Sequence, residues 1–500
     1  MKCSFLSMRI YIITLLFISL SFSLILTIPQ NNPYDPEVVY TVFLSDKFYT
    51  KKKGAGISLN LSPFYLHSSG ARDKGGKKVP EGDMYGQWSM IPILFNNKTT
   101  NPENYSVFIP SGKTLQFNQG DAFTGGAPVS STEDHGNYPY FSRAHRVLDG
   151  QKEGKDKATV GWTSRKIEIP NPKWGRDISK DYTDPKEFDT QDNTTGFFSI
   201  KTDYEKMGVR GQIHFSYENK IGLKIKSGIV NYKQVPHFTD QTVTDTIAKT
   251  YVKEYLMDED SRNNITNEVL WGIDEQKDTT MEDTNIELYV NIPFDLKDDE
   301  DVHVATLIPH LSIGGWLPSG TKKDQRHAFS VPTGNDGFAG FTVNGTVNVD
   351  FPGMMQLCFG VGGIFYGSKE YSEYRVPNSQ YQQGIFPWLA KVKRQPGEIW
   401  YANASMKARF FSDHFSFYFD YIHSEHLKDK FTFKDTTEKN DLLYKKTLEE
   451  NSMWKNNLVQ GGINYTISPG LELGLGFQAH ISGVRVYKTT TILGTLTFNY

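Results

Sequence analysis

The chain ends Thr491-Ile492-Leu493-Gly494-Thr495-Leu496-Thr497-Phe498-Asn499-Tyr500. Counting back by twos from the last residue gives Tyr500, Phe498, Leu496, Gly494 and Ile492, of which four are apolar or aromatic. Successive side chains of a strand point to opposite faces, so this stretch predicts a strand with one apolar side. The same period recurs upstream. Val209, Ile213, Phe215 and Tyr217 alternate with Arg210, Gln212, His214 and Ser216, and Ile221, Leu223 and Ile225 alternate with Lys224 and Lys226. Ile286, Leu288 and Val290 alternate with Glu287 and Tyr289, and Val343, Val347, Val349 and Phe351 with Thr342, Asn344, Asn348 and Asp350. Ala402 to Phe410 carries Lys407 and Arg409 on its polar side, Phe415 to Tyr421 carries Asp420, and Leu471 to Ile481 carries Glu472.

Alternation alone also suits a soluble sandwich, so the connections decide. Tight hairpins at 218–220, 352–355, 412–413 and 468–470 take turns with long polar connections at 232–284, 318–337, 367–401 and 424–457. In an up-and-down barrel this puts the tight turns at one end and the long loops at the other, as in outer-membrane barrels. Composition agrees. Mean hydropathy is −0.48, too polar for a bundle of spanning helices, each of which needs about 20 apolar residues. Aromatic residues reach 14%, too many for wholesale disorder. Basic and acidic residues number 54 and 57, so no nucleic-acid partner is expected. With only Cys3 and Cys358 there is neither a disulfide framework nor a zinc site.

Lys2 and Arg9 precede an apolar run from Ile10 to Ile28 that gives way to Gln30-Asn31-Asn32-Pro33. This reads as a secretory signal peptide over 1–27, cleaved after Ser23 or Thr27, in preference to an uncleaved anchor helix. Together with this export signal, the final ten residues resemble the terminal strand of Gram-negative outer-membrane β-barrel proteins of the porin or transport type. The resemblance is to the class and to no closer family. It implies an all-β, transmembrane, antiparallel up-and-down barrel in the outer membrane. It also implies recognition of Ile492, Leu496, Phe498 and Tyr500 by the barrel-assembly machinery, and contact with lipid and lipopolysaccharide. Gly494 is a weaker match to the pattern than a large apolar residue.

Twelve strands are predicted at 197–204, 209–217, 221–231, 285–294, 302–317, 338–351, 356–366, 402–411, 414–423, 458–467, 471–482 and 487–500. Two more, at 57–66 and 85–95, make fourteen, with 12–16 compatible. The barrel then spans 57–500, preceded by a periplasmic or plug segment at 28–56. The polar stretch 96–191, with a candidate strand at 158–169, fits an external loop, a plug or extra strands equally.

No phosphate loop, zinc-protease motif, serine elbow or Cys/His cluster is present, so no enzyme, cofactor or metal site is expected. Asp298-Asp299-Glu300-Asp301 lacks the spacing of a calcium loop. The polar strand faces carry Arg210, Lys224, Lys226, Glu287, Asp350, Lys407, Arg409, Asp420 and Glu472. These are assigned to the lumen, because a Lys or Arg facing lipid at mid-depth costs roughly 2–4 kcal/mol. They are the candidate selectivity residues for a small-molecule solute. The 232–284 connection holds twelve acidic and five basic residues, a net of −7, whereas 424–457 holds seven of each. The functional expectation is a passive channel or transporter for small solutes or apolar compounds. The alternative is a non-conducting structural or adhesive protein that displays its loops.

Overall fold

The structure is a computed structural model. It describes residues 28–29, 31–35, 38–39, 54–86, 88–89, 95–96, 104–108, 114–118, 197–240, 272–351, 355–376, 386, 388–412, 414–434, 445–468 and 470–500. The expected signal peptide and the 158–169 strand lie outside these residues. Twelve strands close into one antiparallel barrel. They are β1 (Ala55–Arg72), β2 (Phe197–Tyr217), β3 (Ile221–Asp240), β4 (Thr284–Asn291), β5 (His303–Leu317), β6 (Gly340–Phe351), β7 (Met355–Tyr366), β8 (Ile399–Ser412), β9 (Phe415–His426), β10 (Trp454–Ser468), β11 (Leu471–Val484) and β12 (Val486–Asn499). Each pairs with its sequence neighbours. β12 returns to β1, with Val486 opposite Arg72 and Asn499 opposite Ser58.

The count is twelve because two expected elements differ. The stretches 197–204 and 209–217 are one strand of 21 residues. Of the described residues in 85–95, only Trp88–Ser89 pairs with β2, beside the ring and not within it. The apparent break in β2 has a physical origin. From Met207 to Tyr217 the outward side chains Met207, Val209, Ile213, Phe215 and Tyr217 are exposed and apolar, while Arg210, Gln212 and His214 are buried. Toward the other end the phase inverts: Lys201, Asp203 and Glu205 face outward, while Ile200 and Tyr204 are buried. The strand has left the lipid there, so its outer face meets water and its inner face builds a core. β3 does the same, with Ile229 outside, then Asn231 and Lys233 outside over buried Val230 and Tyr232.

Ten residue steps from Met207 to Tyr217, at about 3.4 Å each and tilted by about 40°, span roughly 26 Å, close to the height of a membrane-facing apolar band. The band continues around the ring through Leu288, Ile313, Phe341, Phe359, Phe419, Ile463, Leu475 and Ile492, all exposed. Monomeric soluble proteins rarely expose a continuous apolar belt of this extent. In lipid every backbone polar group must pair internally, which closure of β12 on β1 achieves. Among the described residues no helix is long and apolar enough to cross a membrane.

Tight turns gather at one end. Between β2 and β3, Glu218 and Asn219 both have positive φ, and Lys220 N–H donates to the Tyr217 carbonyl at 2.9 Å. Three residues thus connect the strands, and the positive φ of the first two follows the strands' own twist. At the same end Asp298 caps its own turn, accepting from the N–H groups of Glu300 and Val302 at 2.9 Å each. The opposite end carries the long connections, with one exception: β11 reaches β12 through the single residue Arg485, at φ 51°. These connections are partly folded. Lys369–Val376, Trp388–Gln395 and Lys430–Phe433 form a separate three-stranded sheet. Helix α1 (Lys445–Ser452) lies beside it, and Val376, Ala390, Val392, Phe431 and Leu448 make a small core. The expected 232–284 loop is also shorter than predicted, because 276–281 pairs with 229–234 of β3 and extends the wall.

A short turn at Glu81–Asp83 docks on the water-exposed part of β2. Glu81 accepts the Ser68 hydroxyl at 2.7 Å, and Asp83 accepts the Ile200 N–H at 3.0 Å as well as the Ser199 hydroxyl. Burial pushes the Asp83 carboxyl up from 3.8 to about 6, although the bonds from Ser199 and Ile200 pull it down. The folded state thus holds this proton more tightly than the unfolded chain. The stabilisation is full below pH ~4 and is lost as pH rises through ~6, about 3 kcal/mol in all. Asp83→Asn should therefore flatten the fall in urea midpoint between pH 4 and 7. An unchanged pH profile in the variant would remove Asp83 as the cause.

Candidate functional site

Where β3 meets its neighbour the wall has one extra residue. Lys226 is opposite Asn285 and Ile229 is opposite Met281, so two residues of β3 face the three residues 282–284. A bulge of this kind re-aims side chains, and here both Glu282 and Asp283 are fully buried. Gly228 makes the room: a β-carbon there would lie 2.5 Å from Glu282 Oε2.

Glu282 receives Arg210 in a fork, Nε on Oε2 and Nη2 on Oε1, both at 2.8 Å. Lys206 Nζ is 2.6 Å from Glu282 Oε1 and 2.5 Å from Asp35 Oδ2. The four side chains are at most 2% exposed, and their charges cancel. The Arg210 guanidinium also lies 3.8 Å from the centre of the Phe64 ring, a cation–π arrangement. Buried charges persist only when paired in this way.

The pairing fastens Asn31–Asp35 against inward-facing residues. Asn31 N–H donates to Asn335 Oδ1 at 2.8 Å, and Asn32 Nδ2 donates to the Pro332 carbonyl at 2.6 Å. Tyr487 N–H, on β12, donates to the Pro33 carbonyl at 2.9 Å. Lys323 Nζ donates to the Tyr34 hydroxyl at 2.9 Å, and Tyr34 packs edge-on against Tyr487. Asn335 is itself fixed by Asp283, whose Oδ2 accepts its N–H at 2.6 Å and its Nδ2 at 3.0 Å. Both carboxylates of the bulge therefore bear on the N-terminal segment, Glu282 through Lys206 and Asp283 through Asn335.

Nearer the turn end lies a second polar layer. Lys226 Nζ is 3.4 Å from Glu287 Oε2, and Lys224 Nζ sits 4.8 Å from the Tyr289 ring centre. Tyr289 stacks on His310 and bonds His214 at 2.7 Å. Among the sequence candidates, Arg210, Lys224, Lys226, Glu287 and Asp420 are buried on the inward face. Asp350, Lys407 and Glu472 are half-buried. Arg409 lies on β8 opposite Ser416, and its side chain is outside the described residues. Asp35, Lys206 and Glu282 are absent from the sequence candidates. Lys206 had a readable signal, since it stands four residues before Arg210 and so on the same strand face. Ile492, Leu496 and Phe498 lie on the outward face of β12, with Tyr500 just beyond its end.

Polar groups line the inside elsewhere as well. Both amide atoms of Asn60, Asn285 Oδ1, Thr342 Oγ1, Asn348 Oδ1, Asn403 Oδ1 and Ser424 Oγ are buried without a partner among the described residues. Such atoms are satisfied by internal water. Among the described residues no group of His, Cys, Asp or Glu is arranged to hold a metal ion.

The closed ring, the apolar outer band, the polar interior and the end-to-end asymmetry of its connections define a transmembrane β-barrel of the Gram-negative outer membrane. No family model and no curated relative matches the chain. Among solved structures it is similar to an outer-membrane channel from Pseudomonas putida F1, at 7% identity over 90% of this chain and 97% of that one, with a TM-score of 0.39. It is also similar to the translocator domain of the autotransporter NalP from Neisseria meningitidis, at 6% identity over 89% and 88% and a TM-score of 0.24. The outer membrane protein OprD from Pseudomonas aeruginosa matches at 7% identity over 95% and 97%, with a TM-score of 0.24. At scores this low, the class rests on the barrel's own pairing and apolar band.

Proposed function

We propose that the protein is a passive outer-membrane channel or transporter for small solutes and not an enzyme, with its N-terminal segment acting as a plug. The observation that carries the reading is the fastening of Asn31–Asp35 to the inner wall, by the Asp35–Lys206 ion pair and the Tyr487–Pro33 bond, and to the connection after β5, by bonds at Asn31, Asn32 and Tyr34. A barrel that only displayed loops would have no use for a ligated segment in its mouth. Inward polar atoms without protein partners fit a watered passage.

Planar bilayers test this. Wild-type protein should give small, infrequent conductance steps. Asp35→Ala, which removes the ion pair with Lys206, should give larger and longer ones. A salt gradient across the same bilayers reads ion preference. We place the selectivity charges at Asp350, Lys407, Arg409 and Glu472, so Lys407→Gln should move the reversal potential toward cations, less so at high salt. Silent membranes from both wild type and Asp35→Ala would instead favour the display reading.

A further inference from the structure

At the loop end lies a cavity of about 170 Å³, bounded by the Asn31–Asp35 segment, the connection after β5, the outer sheet and α1. Aromatic rings form much of its wall, among them Tyr34, Tyr85, Tyr374, Phe431, Trp454 and Tyr487. The cationic groups facing it are already engaged. Arg394 bridges Asp336 at 2.5 Å and Asp429 at 2.7 Å, Lys323 donates to Tyr34, and Arg375 Nε donates to the Gln325 carbonyl at 3.0 Å. Three polar atoms of the lining residues are not engaged. Asn31 Nδ2–H, Trp454 Nε1–H and Gln234 Oε1 belong to buried residues, and none has a hydrogen-bond partner among the described residues. Two are donors and one is an acceptor.

We propose that this cavity binds a single-ring aromatic alcohol of the phenol class. A cavity of about 150 Å³ takes benzene, so one substituted ring fits the volume. The wall offers ring faces and edges for stacked and edge-on contact. A hydroxyl both donates and accepts, so it can meet an unengaged donor or the unengaged acceptor, and leaving such atoms unpaired is costly. A hydrocarbon of the same size leaves all three unpaired. A carboxylate finds Arg394 and Lys323 engaged by acidic and phenolic partners and Arg375 engaged by the Gln325 carbonyl. Tyr34 belongs to the wall, so the ligand would touch the plug itself. The proposal deepens the channel reading by naming its solute class, and its test does not depend on conduction.

The test is equilibrium dialysis of the full chain in detergent against labelled phenol, benzene and benzoate. Phenol should bind saturably at one site, about tenfold more tightly than benzene, as one net hydrogen bond implies, and benzoate should not bind. Trp454→Phe combined with Gln234→Leu and Asn31→Leu keeps the bulk and removes all three polar atoms, and it should erase the phenol advantage while benzene affinity stays the same. Leu448→Trp, from α1, should fill the cavity and abolish both. A heat-shifted gel band confirms that each variant is folded. Equal affinity for phenol and benzene in the wild type, no saturable phenol binding, or phenol binding indifferent to Leu448→Trp would each overturn the proposal. Phenol binding by a protein silent in bilayers would sink the channel reading and leave this site standing. Conduction without binding would do the reverse.

Discussion

Deleting Phe498, Asn499 and Tyr500 should abolish assembly into the outer membrane. Phe498 and Asn499 are bonded on both sides and Tyr500 to β1. Phe498 is opposite Leu471 on β11 and Leu59 on β1, and Asn499 is opposite Ser58. Tyr500 exchanges two backbone bonds with Ile57, at 2.8 and 3.2 Å. Without them the seam between β12 and β1 opens at the turn end, and each backbone group left unpaired in the hydrocarbon costs several kcal/mol. A point change separates stability from recognition. Tyr500 is 81% exposed beyond the end of β12, and a Lys near the membrane interface costs only about 0–1 kcal/mol. If Tyr500→Lys also fails to assemble, the aromatic end is being read by the assembly machinery. If it assembles while the deletion fails, the seam alone is responsible. Fractionation, trypsin sensitivity and heat-modifiable mobility report the outcome, and normal assembly of the deletion would refute the role of the seam.

The barrel was legible wherever one amphipathic phase persists along a strand. From β4 to β12 the apolar band faces lipid over most of each strand, and period two finds every one of these strands. It divided β2 because the solvent outside the barrel changes at Met207. Below that point apolar residues face out, and above it Tyr204 and Ile200 face in while Glu205 and Asp203 face water. A phase reversal without a turn looks in sequence like the end of a strand, although the pairing with β3 runs unbroken from Tyr217–Ile221 to Phe198–Asp240. The ion-paired site was less legible for a different reason. Its members come from 35, 206–210 and 282, and the contact is made by a bulge that turns two consecutive acids inward. Within the sequence Glu282 is one acid among twelve in a polar stretch. Only the register of 276–291 against β3 shows that it belongs to the wall.

That bulge carries the largest single-residue effect expected inside the barrel. Among the described residues, Glu282→Gln leaves Lys206 and Arg210 with the Asp35 carboxylate, an excess of one cation in a site at most 2% exposed. Removing one partner of a buried ion pair costs about 3–5 kcal/mol, mostly through the charge left behind. Arg210→Met alone leaves the opposite excess, with Glu282 and Asp35 sharing Lys206. The double variant restores neutrality, since Lys206 and Asp35 still pair at 2.5 Å. It should therefore lose less than the sum of the two singles, with a coupling of at least about 1 kcal/mol. Urea unfolding of the reconstituted barrel, with the slope checked for constancy, measures all three. The Glu282→Gln variant should also show the bilayer behaviour of Asp35→Ala in part, because Lys206 then has one carboxylate to serve and Arg210 competes for it. A loss below about 1 kcal/mol, with strict additivity, would mean that water reaches these ions and screens them. In that case the Asp35–Lys206 contact would hold the N-terminal segment only weakly, and the plug would depend on the hydrogen bonds at Asn31, Asn32 and Pro33.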